Sequence, residues 1–179
     1  PLLAETRTLT RARVKNHENQ RTNVEDRTSK GRGTSALHRP KSPIRMPETY
    51  RKLVATRLST DFREAAEIVE EEFPELKPHE VLIRNRYAAV NATDVNISGG
   101  RYQPGAKPPI DLGAEAAGVV VETGSAVKHL REGDAVLTST LGGGYREYNV
   151  VRASNAIRVP EATPEALSIM VSGLTASIA

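Results

Sequence analysis

Between residues 50 and 160 the chain is a succession of short β-forming runs, each cut off by glycine or proline, and that punctuation limits what it can become. YRKLVATRL (50–58) suits a first strand and AEIVE (66–70) a second. Ser59 to Arg63 supplies turn residues between them, so a hairpin is expected. Pro74 and Pro78 mark the next loop. EVLIRNRYAAV (80–90) alternates: Val81, Ile83, Asn85 and Tyr87 point one way, and Leu82, Arg84, Arg86 and Ala88 the other. Gly118 opens a short strand, GVVVET, that Gly124 closes. Gly133-Asp134 is a turn before AVLTST, and Gly142-Gly143-Gly144 another before YREYNVV. Many short strands at close spacing predict a mainly β, barrel-like domain.

The end of the chain changes character. Thr163 fits an N-cap, Pro164 the first helical position, and Glu165 the first turn. Leu167, Met170 and Val171 follow at helical spacing, and Gly173 is placed to break or bend the helix. The chain stops at Ala179 within the apolar run LTASIA. A complete domain rarely ends on a raw apolar helix, so this ending reads as a cut before further sequence.

Charge divides the chain near Met46. Residues 1–45 hold 11 Lys and Arg against 4 Asp and Glu, a local +7, whereas residues 46–179 hold 14 against 18, a local −4. All seven aromatic residues lie after position 45. The first segment carries too little apolar surface to offset the entropy of ordering it, so disorder is expected there. We set the boundary at residue 47, with an ordered domain over 48–179. Arg7, Arg11, Arg13 and Lys15 would suit an acidic surface or nucleic acid. Glu5, Glu18, Glu25 and Asp26 interrupt the basic residues, and no aromatic is interleaved to stack on bases, which argues against nucleic acid. An Arg-, Ser- and Thr-rich transit peptide and an upstream extension ahead of a start at Met46 are the other readings. No apolar run approaches the roughly 18 residues of a membrane helix. The chain has no Cys, which excludes a disulfide framework, a thiolate metal site and a Cys nucleophile. His17, His38, His79 and His129 show no paired metal spacing, and the last two read as exposed loop residues.

Chemistry concentrates in VNATDVNISGGRY (90–102), just past the alternating strand. Asn91, Asp94 and Tyr102 offer an amide, a carboxylate and a phenol within this short run. A Tyr donor can hydrogen-bond a carbonyl that becomes an enolate. The alternative use of Asn91 and Asp94 is to satisfy backbone groups in a turn, with the Tyr102 ring capping a loop.

VNATDVNISGGRY, PPIDLGAEAAGVVVETG (108–124), REGDAV (131–136), GGYREYNVV (143–151) and SGLTA (172–176) appear in one order over residues 50–179. Together they resemble the medium-chain dehydrogenase/reductase superfamily, and within it the zinc-free quinone oxidoreductase and enoyl reductase branches. The resemblance implies a GroES-like, partly open β-barrel with short helices, whose final helix leads toward a Rossmann domain absent from this chain. It implies NADPH as hydride source and an α,β-unsaturated ketone, quinone or enoyl compound as substrate, 15-keto prostaglandins among them. Tyr102 matches the Tyr that donates to the carbonyl oxygen, Asn91 the Asn at the nicotinamide end of the cleft, and Thr175 the Thr near the nicotinamide. Asp94 would hold the Asn91 loop. Homodimerisation through the missing domain follows from the same resemblance. The expected location is intracellular (cytoplasmic, mitochondrial or peroxisomal, depending on the tail), and no nucleic-acid or membrane partner is expected.

Zinc-using relatives carry a Cys where this chain has Asn91, and Gly-His-Glu where it has Gly113-Ala114-Glu115. Glu115 alone cannot make a catalytic zinc site, which takes about three protein ligands, so it reads as a structural carboxylate. The Gly142–Gly144 run precedes a strand rather than a helix, so it is not a dinucleotide fingerprint. These 179 residues should therefore not hold NADPH by themselves. A non-catalytic superfamily member acting as an interaction module is the alternative.

Overall fold

The computed structural model describes residues 46–102 and 104–179, and the expected disordered segment up to residue 45 lies outside them. Among the described residues eight strands form two antiparallel sheets. β1 (Thr49–Ala55) turns through a short helix α1 (Phe62–Ala65) into β2 (Ala66–Glu72), which gives the expected hairpin with Leu53 opposite Ile68. β3 (Glu80–Ala88) leads to α2 (Ala92–Ser98). The short β4 (Ile110–Asp111) joins the hairpin, giving a three-stranded sheet in the order β2-β1-β4. β5 (Glu115–Thr123), β6 (Ala135–Ser139), β7 (Tyr148–Arg152) and β8 (Ala156–Val159) complete a five-stranded sheet in the order β7-β3-β5-β6-β8.

The sheets are stitched but do not close into a barrel. The segment 145–147 crosses between them: Leu53 N–H donates to the Tyr145 carbonyl (2.8 Å), Glu147 N–H to Arg51 O (3.0 Å), and Asn85 N–H to Glu147 O (2.9 Å). Val81, Ile83, Val120, Val136 and Val151 form the core of the larger sheet. A second cluster of Ala55, Ala65, Ile97, Ile110, Leu112 and Ala114 lies beneath the smaller one. Met46 packs against a third, around Tyr50, Leu82 and Tyr148.

Three expectations needed adjustment. The long strand does not keep one face. Val81, Leu82 and Ile83 are all buried, while Tyr87 is exposed. The pairing to β5 slips between Leu82 and Ile83 and again between Asn85 and Tyr87. At the first slip the extra residue is Val121 on β5, and Leu82 is buried on the face opposite Val81 and Ile83, against Tyr50 and Tyr148; at the second it is Arg86 on β3 itself, which turns Tyr87 off the face of Val81 and Ile83. The strand expected to open at Gly118 begins three residues earlier, at Glu115. The polar run after β3 is not a loop throughout, because residues 92–98 form α2.

The C-terminal helix starts as expected. Thr163 Oγ1 accepts from Ala166 N–H (3.1 Å), with Pro164 in the first turn of α3 (Pro164–Ser168). A π-helical turn over Ile169–Gly173 follows, then α4 (Leu174–Ile178). The irregularity falls where Gly173 was expected to bend the helix. No helix among the described residues is long and apolar enough to cross a membrane.

Candidate functional site

Asn91 occupies the N-cap of α2 with extended backbone (φ −128°, ψ 156°). Its own N–H donates to Asp94 Oδ2 at 2.8 Å, the carboxylate half of a capping box. The helix therefore begins at Asn91 because Asp94 stands three residues on. With the backbone held this way, the Asn91 side chain points elsewhere: its Nδ2 donates to Glu115 Oε2 at 2.7 Å. Glu115 is the first residue of β5, so the amide bridges α2 to the larger sheet.

Asp94 and Glu115 are each only 2% exposed. Buried carboxylates need partners, and each has them on one oxygen. Asp94 Oδ2 also accepts from the Tyr145 hydroxyl at 2.8 Å, and that hydroxyl lies 3.3 Å from the Ala89 carbonyl. Asp94 Oδ1 and Glu115 Oε1 have no partner among the described residues. Burial, together with the hydrogen bond to the Asp94 carboxylate and its charge, pushes the Tyr145 phenol well above its ordinary value. It stays protonated and remains a donor.

These residues border a cavity of about 400 Å³ lined by Leu53, Phe62, Val90, Asn91, Asp94, Val95 and Tyr145. Its walls are almost wholly apolar, and Asn91, Asp94 and Tyr145 border it. Phe62 meets the Tyr145 ring edge to face, with centroids 6.2 Å apart at 89°. A recess of this kind suits an apolar molecule with few polar atoms.

The remaining sequence-derived candidates are not tied to this cluster. Tyr102 is 50% exposed and follows the turn after α2, and no hydrogen bond links its hydroxyl to Asn91 or Glu115 among the described residues. Thr175 lies exposed on α4. His79 and His129 are exposed, as expected, and His129 Nε2 lies 3.2 Å from the Ala153 carbonyl. Among the described residues no group of three or more His, Cys, Asp or Glu side chains converges on a metal position.

Sequence reasoning missed Tyr145. It is 51 positions from Asp94, and nothing in the local pattern joins them. The available signal was an aromatic directly after three glycines, where a sharp turn can aim a side chain inward.

The same glycines bear on whether a dinucleotide could rest there. A side-chain carbon on Gly142 would come within 2.6 Å of Asp111 Cβ, one on Gly143 within 2.6 Å of Asn149 Nδ2, and one on Gly144 within 2.8 Å of the Glu115 carbonyl. All three face protein, so the turn is tight packing and does not cradle phosphates. No other strand–glycine–helix unit occurs among the described residues. The described residues do not fit the phosphates of NADPH.

Residues 77–161 match the family model of the alcohol dehydrogenase GroES-like domain. The chain is 44% identical over 133 residues to prostaglandin reductase-3 of Mus musculus, an alignment covering 73% of this chain and 35% of that protein. It is 39% identical over 134 residues to a probable quinone oxidoreductase of Leishmania amazonensis, covering 74% and 39%. Its fold superposes on Escherichia coli quinone oxidoreductase complexed with NADPH with a TM-score of 0.61 at 27% identity, covering 70% of this chain and 38% of that one. The chain thus spans little more than a third of the length of these relatives.

Proposed function

The chain carries an alcohol dehydrogenase GroES-like domain and belongs to the medium-chain dehydrogenase/reductase superfamily, and from that premise we propose that it is the substrate-side domain of a zinc-independent, NADPH-dependent reductase. The whole protein would reduce the carbon–carbon double bond of enones, quinones or enoyl compounds, with 15-keto prostaglandins within that class. The observation that carries this reading is the Asn91–Glu115 hydrogen bond at the edge of an apolar recess. By the family pattern an amide donor stands where a metal-binding member would present a thiolate, and it bonds one oxygen of Glu115, the carboxylate left from that pattern. Ala114, beside Glu115, has no ligating atom. Zinc-independence rests on this donor set.

In this reading NADPH, held in the whole protein by residues other than those described, would supply the hydride. The groups present bind and polarise the substrate. The apolar walls of Leu53, Phe62 and Val95 take its hydrocarbon part. Tyr102, half exposed after the turn that follows α2, would donate to the carbonyl oxygen as negative charge gathers there. A donor held in place against the substrate in the whole protein would contribute on the order of 3 kcal/mol, or about a hundredfold in rate. Asn91 orients the nicotinamide-facing end, Thr175 lies at the domain junction, and Asp94 and Glu115 hold Asn91.

The test uses the full-length protein and an enone and quinone panel. Tyr102→Phe combined with Asn91→Ala should lower kcat/KM by about a hundredfold or more. Undiminished NADPH-dependent reduction by that double variant would sink the proposal.

A further inference from the structure

We infer that Tyr145 is a positioning residue for the proposed reductive site, setting the direction of the Asn91 amide through the carboxylate of Asp94; the inference rests on the functional reading above.

Three facts converge on it. The Tyr145 hydroxyl and the Asn91 N–H meet on the same oxygen, Asp94 Oδ2, each at 2.8 Å. That oxygen belongs to a carboxyl almost wholly removed from water, so each donor matters to it more than it would at the surface. The Tyr145 ring also walls the recess that Asn91 borders and is set edge-on against Phe62. Tyr145 thus touches the site twice, by its ring directly and by its hydroxyl through Asp94.

The geometry gives the hydroxyl a specific task. Asp94 has two things to fix, the start of α2 and its own rotamer. The Asn91 N–H holds it from within its own helix, a local bond that would turn with the helix. The Tyr145 hydroxyl holds it from the crossing segment between the sheets, whose backbone is bonded to Leu53 (2.8 Å) and Leu112 (3.2 Å). That anchors α2 to the framework carrying Glu115. Without it, Asp94 keeps its capping bond, but the N-terminus of α2 can swing relative to β5. The 2.7 Å Asn91–Glu115 bond is the distance most exposed to such a swing. Ring loss and hydroxyl loss are separable, because phenylalanine keeps the packing on Phe62.

The Asn91 side-chain amide reports directly, with or without turnover. In the wild-type chain, nitrogen-15 NMR should show its protons shifted from free-amide positions and exchanging slowly. Tyr145→Phe should speed that exchange by about tenfold and move the resonances toward free-amide values. Should Tyr145→Phe fail to fold, Asp94→Asn, which keeps the side-chain shape but weakens the acceptor, should do the same. In the full-length protein, Tyr145→Phe should lower kcat for an enone about tenfold while KM stays within twofold. An Asn91 amide unchanged in either folded variant overturns the inference, whatever the kinetics. Absence of turnover in the wild-type full-length protein overturns the functional reading instead, and leaves the amide result to decide the role of Tyr145.

Discussion

In the five-stranded sheet Val81, Ile83, Val120 and Val136 are closed off from water in a continuous branched-aliphatic core. The three-stranded sheet has a different interior, with mostly small residues (Ala55, Ala65, Ala114) beside Ile97, Ile110 and Leu112. It adds an ionic group that joins three of its residues to the crossing segment. The Lys52 ammonium pairs with Glu71 and lies 2.9 Å from Asp111, and Arg146 reaches Asp111 as well. Burial works against the Lys52 charge, but its hydrogen bonds to Glu71 and Asp111 prevail and hold it above its ordinary value. One sheet is stabilised mainly by area removed from water, the other by matched charges over a thinner core. The site lies where they meet, with Asn91 and Asp94 on α2, Glu115 on the larger sheet, and Tyr145 on the strap between.

Substitutions that act on one side only would sharpen this contrast. Ile83→Ala empties a fully buried position in the larger sheet and should cost about 3–4 kcal/mol in urea unfolding, with no dependence on salt. A loss below about 1 kcal/mol would mean that this core is looser than its burial implies. Lys52→Met should cost less, about 1 kcal/mol, since Glu71 and Asp111 are partly exposed and water screens them. Its cost should shrink in 1 M salt, where screening acts within about 3 Å. A salt-independent loss would place Lys52 with the packed core instead.

The smallest effect is expected at the outer edge. The hydrogen bonds from Arg51 to Glu147 hold the Glu147 carboxyl below its ordinary value. A depressed carboxyl favours the fold above its unfolded pKa of 4.5, and that contribution fades as pH falls through the lower folded value. Glu147→Gln should therefore differ from wild type slightly at pH 6 and not at all at pH 2, in urea midpoints. A difference that grew on acidification would reverse the assignment.

The strands were legible because alternation and glycine breaks are local. Residues 80–90 announced a strand, yet only the partner could reveal the slips that expose Tyr87, since a bulge is a property of two chains of hydrogen bonds. The capping geometry at Asn91 and Asp94 was also local, and a closer eye to the three-residue spacing would have found α2 where a loop was expected. The site was half legible. Asn91, Asp94 and Glu115 were singled out by residue type and family pattern, and hydrogen bonds join them. Tyr145 was not, because its role comes from a turn that brings distant residues together. Tyr102 and Thr175 remain proposals resting on the family pattern.

Gly113 and Gly144 meet main chain to main chain. Gly113 has φ +85°, and a methyl there would come within 2.3 Å of Tyr145 N, while one on Gly144 would come within 2.9 Å of the Gly113 carbonyl carbon. Two bare backbones act as a gauge block, spacing Glu115 from Tyr145 by the thickness of the main chain. Sequence drift elsewhere can exchange one strand side chain for another and be absorbed. Drift at either glycine cannot, because no rotamer can turn away from a main chain. Gly113→Ala or Gly144→Ala should therefore disturb the spacing of the site before it disturbs the sheets around it.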